Sequence, residues 1–99
     1  MTDTEILETF LLPDLEKMTV PESQRAFLLQ LIASAKEQIA REGITLDLSE
    51  VDDCLTVSMY AAYLYRRRAV ADNGMPRMLR YRLNNRLFAE KMKASENDG

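Results

Sequence analysis

The stretch Cys54-Leu-Thr-Val-Ser-Met-Tyr-Ala-Ala-Tyr-Leu-Tyr65, closed by Arg66-Arg67-Arg68, decides the fold. It carries no charge across twelve positions and contains neither Gly nor Pro. As a helix it would be about 18 Å long, which is too short for a membrane span of roughly 20 apolar residues. The sequence therefore predicts a buried helix in a soluble domain, with no membrane contact.

A helical projection divides this segment into two faces. Small and apolar residues recur on one face with a period of 3.6, at Val51, Cys54, Leu55, Ser58, Ala61, Ala62, Tyr65 and Ala69. The small side chains would let another helix approach closely. The opposite face carries Tyr60 and Tyr63, and aromatic residues are enriched where proteins meet. The two tyrosines indicate either a subunit contact or a site covered by a neighbouring segment of the same chain.

The composition excludes several kinds of chemistry. The 99 residues include one cysteine and no histidine, so the commonest general base is missing and an internal disulfide cannot form. Cys54 lies on the apolar face and is predicted to be a buried structural thiol. No carboxylate pair or glycine-rich phosphate loop is present. We expect no enzymatic activity, no cofactor and no metal. The N-terminal residues lack the pattern of a signal peptide, which predicts a cytoplasmic protein.

Charge is unevenly distributed along the chain. Residues 1–65 hold four basic and twelve acidic residues, a net charge of −8. Residues 66–99 hold nine basic and four acidic residues, a net charge of +5. The two halves could neutralise each other within one domain, or one half could bind an acidic or basic partner, including a second copy of the chain. The arginines match no sequence-specific DNA-binding motif, whereas contact with DNA phosphates stays open.

Helix signals flank the central segment on both sides. The sequence predicts a short helix over residues 3–11, capped by Asp3 or Thr4 and ended by Leu12-Pro13. A capping box of Thr19 and Glu22 would start a long helix that ends near Gly43.

Ser49 is the predicted cap of the central helix, and Asp72-Asn-Gly-Met-Pro76 the predicted turn after it. The last helix, over residues 76–92, has two apolar sides. Leu79, Leu83 and Leu87 form one side, and Met78, Tyr81, Phe88 and Met92 form the other.

These signals together predict an all-α fold. It is a small bundle of two long helices and one central buried helix, with one or two short N-terminal helices. Residues 1–93 would form a single domain, and residues 94–99 a disordered tail.

Three pieces of the sequence carry a family resemblance between residues 21 and 88. They are Leu31-Ile-Ala-Ser-Ala-Lys-Glu-Gln-Ile39, Ala61-Ala-Tyr-Leu-Tyr-Arg-Arg-Arg68, and Met75-Pro76 followed by Leu79 and Arg82. In order and spacing they resemble the three main helices of the small head–tail connector family of long-tailed bacteriophages, also described as DNA-packaging adaptors. Residues 1–20 have no counterpart in the family, and the triple arginine is more basic than its usual single position.

The resemblance implies an all-helical structural subunit of a phage or prophage virion. Such subunits are made in the host cytoplasm and form a ring at the portal vertex around the DNA path, in contact with the portal protein and the tail-completion proteins. On this reading Tyr60, Tyr63, Tyr81 and Phe88 are candidate subunit contacts. The candidates for contact with an acidic neighbour or the DNA channel are Arg66, Arg67, Arg68, Arg82 and Arg86. The alternative is a small helical nucleic-acid-binding regulator that uses the basic C-terminal third.

Overall fold

The central helix, α4 (Val51–Arg67), is enclosed by the other elements of the fold. The computed structural model describes residues 1–68 and 74–97. The predicted apolar face of α4 is buried at Cys54, Ala61 and Ala62, and the opposite face is buried at Thr56 and Tyr60. A helix without charge along most of its length is stable in water only when neighbours cover it on more than one side. Ala69 and the first two residues of the predicted turn, Asp72 and Asn73, lie outside the described residues.

The long helix α3 (Glu22–Arg41) packs along α4. It supplies four fully buried side chains to the core: Leu28, Ile32, Ala35 and Ile39. The alanines on its other side, Ala26, Ala33 and Ala40, are exposed and act as helix-forming residues. Gly43 ends the helix as predicted, with φ +99°, and Ile44 beyond it is buried.

The N-terminal segment is helical from Asp3 to Asp14 and packs on α3 and α4. It consists of α1 (Asp3–Ile6), a π-helical segment (Leu7–Leu11) and α2 (Leu12–Asp14). The predicted end at Leu12-Pro13 is wrong by a turn. Pro13 lies in the first turn of α2, where its missing N–H needs no helical partner.

The last helix, α5 (Arg77–Asn97), crosses α4 and completes the bundle. Leu79 and Leu83 are fully buried and Leu87 is partly buried against the core. Of the two apolar sides, the one with Leu79, Leu83 and Leu87 therefore faces the body. The all-α prediction is confirmed, since the described ranges 1–68 and 74–97 hold two long helices, the central helix and short N-terminal helices without a strand.

The predicted tail requires a correction. Residues 94–97 continue α5, and of the predicted tail only residues 98 and 99 lie outside the described residues. The sequence from Lys91 to Asn97 contains Lys, Met, Ala and Glu, which favour helix, and has no Gly or Pro to stop it.

The predicted helix caps were wrong at three starts. Thr2, and not Asp3 or Thr4, caps α1 through a reciprocal capping box with Glu5, whose pKa the Thr2 N–H lowers. Helix α3 begins at Glu22 after Pro21, without a side-chain cap from Thr19. The Ser49 hydroxyl donates to Oδ1 of Asp47 at 2.5 Å instead of capping α4.

Replacement of Leu83 by alanine tests the attachment of α5. Because Leu83 is fully buried, Leu83→Ala should lower the free energy of unfolding by about 2–5 kcal/mol, measured by urea denaturation. Met78→Ala is the matched control on the same helix, since Met78 is 65% exposed, and should change stability by less than about 0.5 kcal/mol. Equal losses for the two variants would contradict the assignment of the two sides.

Candidate functional site

The side of α5 that points away from the body is the most prominent exposed apolar surface. Met78, Tyr81 and Phe88 are 64–65% exposed, and Met92 is 51% exposed. Exposed Asn85 continues the same line. We call these five residues the outer face of α5. A small soluble domain rarely leaves several large apolar side chains together on one helix unless that surface binds something.

The spacing of the outer face has a specific meaning. Positions 78, 81, 85, 88 and 92 alternate steps of three and four residues, which is the a/d repeat of a helix that packs lengthwise against a partner. Four of the five side chains are apolar, and Asn85 occupies the middle position. A polar residue at one such position selects register and partner at some cost in affinity. The outer face therefore has the pattern of a docking seam.

Arg86, predicted to contact a partner or DNA, holds the bundle together instead. Its Nε–H donates to Oδ1 of Asp53 at 3.0 Å, and its other nitrogens donate to Glu90 and to the Thr45 carbonyl oxygen. Asp53 is buried, with a side chain 7% exposed, so its charge requires this partner. The hydrogen bond to Asp53 raises the pKa of Arg86, and the guanidinium lowers the pKa of Glu90.

Arg82 also points back into the molecule. It donates to the Thr56 hydroxyl at 3.2 Å and to the Asp52 carbonyl oxygen at 3.1 Å, both on α4. Arg82 and Arg86 therefore link α5 to α4, and neither is available to a partner without breaking these contacts. The predicted role for this pair is corrected here: acidic and polar groups of the first half of the chain already bind it.

The triple arginine lies at the exposed end of α4, and its members differ. Arg66 donates to the Asp14 carbonyl oxygen at 3.1 Å. The guanidinium of Arg68 lies 4.9 Å from the ring centroids of both Phe27 and Tyr65, within cation–π range. Arg67 is exposed and makes no ion pair with a side chain in the described ranges. Of the three, Arg67 is best placed to meet a partner.

Tyr60 and Tyr63 of α4 differ in exposure, and Tyr60 is buried within the same chain. Tyr60 is 5% exposed, its hydroxyl donates to Oε1 of Gln38 at 3.1 Å, and its burial raises its pKa. Tyr60 is therefore covered by a neighbouring segment of the same chain, α3, which is one of the two alternatives that the sequence leaves open. Tyr63 is partly buried and packs edge-on to Tyr60, with ring centroids 5.9 Å apart. Tyr81 and Phe88 remain the exposed members of the predicted set.

A groove at the N-terminal segment is a second exposed feature. It has a volume of about 920 Å³ and lies between α2, the connector that follows it and the start of α3. Its apolar lining includes Leu12, Pro13, Val20 and Met18, which is 95% exposed. Its charged lining consists of Glu8, Glu16, Lys17, Glu22 and Arg25, of which Glu8 and Arg25 form an ion pair. We call this the N-terminal groove.

Four ion pairs join the basic last third of the chain to the acidic first part. They are Arg66–Asp14, Arg80–Glu42, Arg82–Asp52 and Arg86–Asp53. Much of the charge asymmetry is therefore neutralised inside the domain, which is one of the two alternatives that the sequence leaves open.

No group of three or more Cys, Asp or Glu side chains among the described residues is arranged to hold a metal ion. Cys54 is buried as predicted, and its thiol donates to the Leu48 carbonyl oxygen at 3.2 Å. Among the described helices, none is both long and apolar enough to span a bilayer.

Comparisons with protein-family models, curated proteins and solved structures found no match.

Sequence reasoning missed two parts of this site. The first part is the a/d repeat of the outer face of α5. The spacing of residues 78, 81, 85, 88 and 92 predicts this repeat when the polar residue Asn85 is counted as one of its positions. The second part, the N-terminal groove, could not be predicted, because Met18 lies in an irregular connector whose path depends on the turn at Glu16, with φ 59°.

Removal of the Arg86 side chain tests its structural role. Arg86→Ala leaves the buried Asp53 carboxylate without its main partner and should cost about 1–3 kcal/mol of folding free energy, measured by urea denaturation. Arg67→Ala, at an exposed arginine, is the control and should be near neutral. Similar stability of the two variants would show that Arg86 is not a structural residue.

The Glu90 carboxylate predicts a specific pH dependence. Its folded-state pKa is lowered from the ordinary 4.5 by the Arg86 hydrogen bond, so its stabilising effect is present above pH 4.5 and lost as the pH falls through the lowered value. Thermal melts should show Glu90→Gln less stable than the wild type at pH 7, with the difference shrinking towards pH 3. In an Arg86→Ala background the difference at pH 7 should shrink to the part supplied by the Thr45 hydrogen bonds, which also lower the pKa of Glu90; an undiminished difference would show that Arg86 is not the main cause.

Proposed function

We propose that the protein is a structural subunit of the head–tail connector of a tailed phage or prophage. In this role it assembles as a ring at the portal vertex, around the path of the DNA, and has no enzymatic activity. The observation that carries the proposal is the outer face of α5, an apolar docking seam on a bundle whose core is complete without it. The order and spacing of the three helices that resemble the connector family supply the identity of the assembly.

The distribution of interactions supports a structural role. Arginines that could have formed a cationic binding surface are bound instead to Asp52, Asp53, Glu42 and Asp14. The polar groups therefore stiffen a scaffold, and the large exposed side chains are apolar. A rigid body with apolar contact surfaces suits a subunit that packs against copies of itself.

The partners of this proposal are further copies of the chain, the portal protein and the tail-completion proteins of the virion. Exposed Arg67, at the end of α4, is the candidate for contact with an acidic neighbour or with DNA phosphates in the channel. Arg82 and Arg86 take no part in these contacts, because they bind α4.

Electron microscopy of the purified protein tests the proposal. At high concentration the protein should form closed rings with a central channel. Ring formation should weaken in a variant with Arg66, Arg67 and Arg68 all changed to glutamine, while its circular dichroism spectrum stays helical. The wild type is the reference, and an Arg41→Gln variant, changed at an exposed arginine of α3, is the matched control.

One result would contradict the role of the arginines, and another would contradict the proposal itself. Unchanged ring formation in the triple variant would remove the arginines from the assembly surface. A protein that forms no rings but binds duplex DNA, with affinity that falls steeply as salt rises, would instead be the nucleic-acid-binding regulator.

A further inference from the structure

We propose that the outer face of α5 docks into the N-terminal groove of a second copy of the chain. This inference rests on the proposed ring and names the two surfaces that would meet in it. One copy would present a ridge and the next a groove, so the contact is head to tail. Such a contact closes into a ring when the rotation between neighbours allows it.

The two surfaces are complementary in shape and in apolar character. The outer face is a convex helix surface that carries Tyr81 and Phe88 on its most exposed line. The N-terminal groove is an open depression of about 920 Å³, and Met18, 95% exposed, is one of its lining residues. A methionine thioether beside an aromatic ring is a favourable contact, and methionine adapts its shape to the partner.

The two surfaces are also complementary in charge. Residues 77–93 of α5 hold six basic residues and one acidic residue, whereas residues 1–22 hold six acidic residues and one basic residue. The flanks of the outer face carry Arg77 and Lys91, which make no ion pair with any side chain that the structure describes. The groove carries Glu16 and Glu22, for which the same is true. Lys17 in the groove is also without such a pair, so the unpaired charges of the lining sum to −1, opposite in sign to the unpaired Arg77 and Lys91 beside the seam.

The middle of the outer face and the groove lie towards different ends of α4, whereas Pro76, just before α5, lies near Asp14. Arg86, inside α5, binds Asp53 in the first turn of α4, while Asp14, beside the groove, binds Arg66 in its last turn. The helix rises about 20 Å between Asp53 and Arg66. A seam and a groove this far apart on a rigid body cannot bind each other within one copy, but each can bind the matching surface of a neighbour.

The same charges argue against pairing of α5 with α5. Two copies of the outer face side by side would bring together Arg77, Lys91 and Lys93 of each copy, the basic residues of 77–93 that take part in no ion pair among the described residues. A two-fold contact of that kind also uses up both surfaces in a dimer and does not lead to a ring.

Cross-linking between two variants, each with one added cysteine, tests the contact. Ala89→Cys places a thiol beside the seam, and Thr19→Cys places one in the groove, without removing Phe88 or Met18. The native Cys54 is buried and should not react. In a mixture with a short bismaleimide, mass spectrometry should show, as the main product, a covalent dimer that joins position 89 of one variant to position 19 of the other.

The control mixture keeps the seam variant and moves the second thiol away from the groove. Ala33→Cys, at an exposed position of α3, replaces Thr19→Cys and should give little cross-linked product. Equal yields from the two mixtures would show that the linkage reports random collision and would overturn the inference.

Charge reversal gives a second, independent readout. Lys91→Glu and Glu22→Lys should each weaken association severalfold in sedimentation experiments, since a rim charge pair contributes about 0.2–1 kcal/mol. The chain that carries both changes should recover the wild-type affinity. Glu50→Lys, at an exposed glutamate outside the groove, is the control.

The outcomes separate this inference from the proposed function. If rings form but no cross-link joins positions 89 and 19, or if neither charge reversal weakens association, the inferred contact is wrong and the proposed ring assembly still stands. Self-linking of the Ala89→Cys variant would also overturn it, because α5 would then meet α5. A specific cross-link between positions 89 and 19 in open chains without closed rings would support the contact and count against the connector.

Discussion

Burial of α4 from several sides is the constraint on which the rest of the structure depends. A helix of 17 residues with an uncharged middle must be covered, and a chain of 99 residues has few elements with which to cover it. Helix α3 supplies the longest contact, the N-terminal segment a second and α5 a third. Because α5 contributes only the side that carries Leu79 and Leu83, its other side is left facing outward.

Electrostatics then fixes how α5 lies on α4. The carboxylate of Asp53 is buried at the start of α4 and also accepts a hydrogen bond from the Asp47 N–H. Arg86 is the cation that compensates this charge, and Arg82 binds α4 one turn of α5 earlier. These contacts orient α5 so that the outer face projects from the body. Because Arg82 and Arg86 make these contacts, they are not free to bind a partner. The side chains that α5 exposes along its outer face are then mainly apolar.

The positions of the helices could be predicted from the sequence more accurately than the helix ends or the site residues. Apolar periodicity located α3, α4 and both sides of α5, because burial is the dominant favourable term and repeats with the helix. Helix starts were wrong because Ser49 and Thr19 had competing uses, and a side chain that can cap can equally bind a turn. Tyr60 and Arg86 were misassigned since their partners, Gln38 and Asp53, are 22 and 33 residues away in sequence.

The mass of the protein in solution, measured by light scattering from micromolar to millimolar concentration and at low and high salt, tests the central claim most directly. The central claim is that the outer face of α5 of one copy contacts a surface of another copy. It predicts that the mass rises with concentration from the 11.4 kDa of the monomer to that of a closed oligomer, and that salt weakens the association by screening the charged rim. A mass that stays at 11.4 kDa under all these conditions would contradict it.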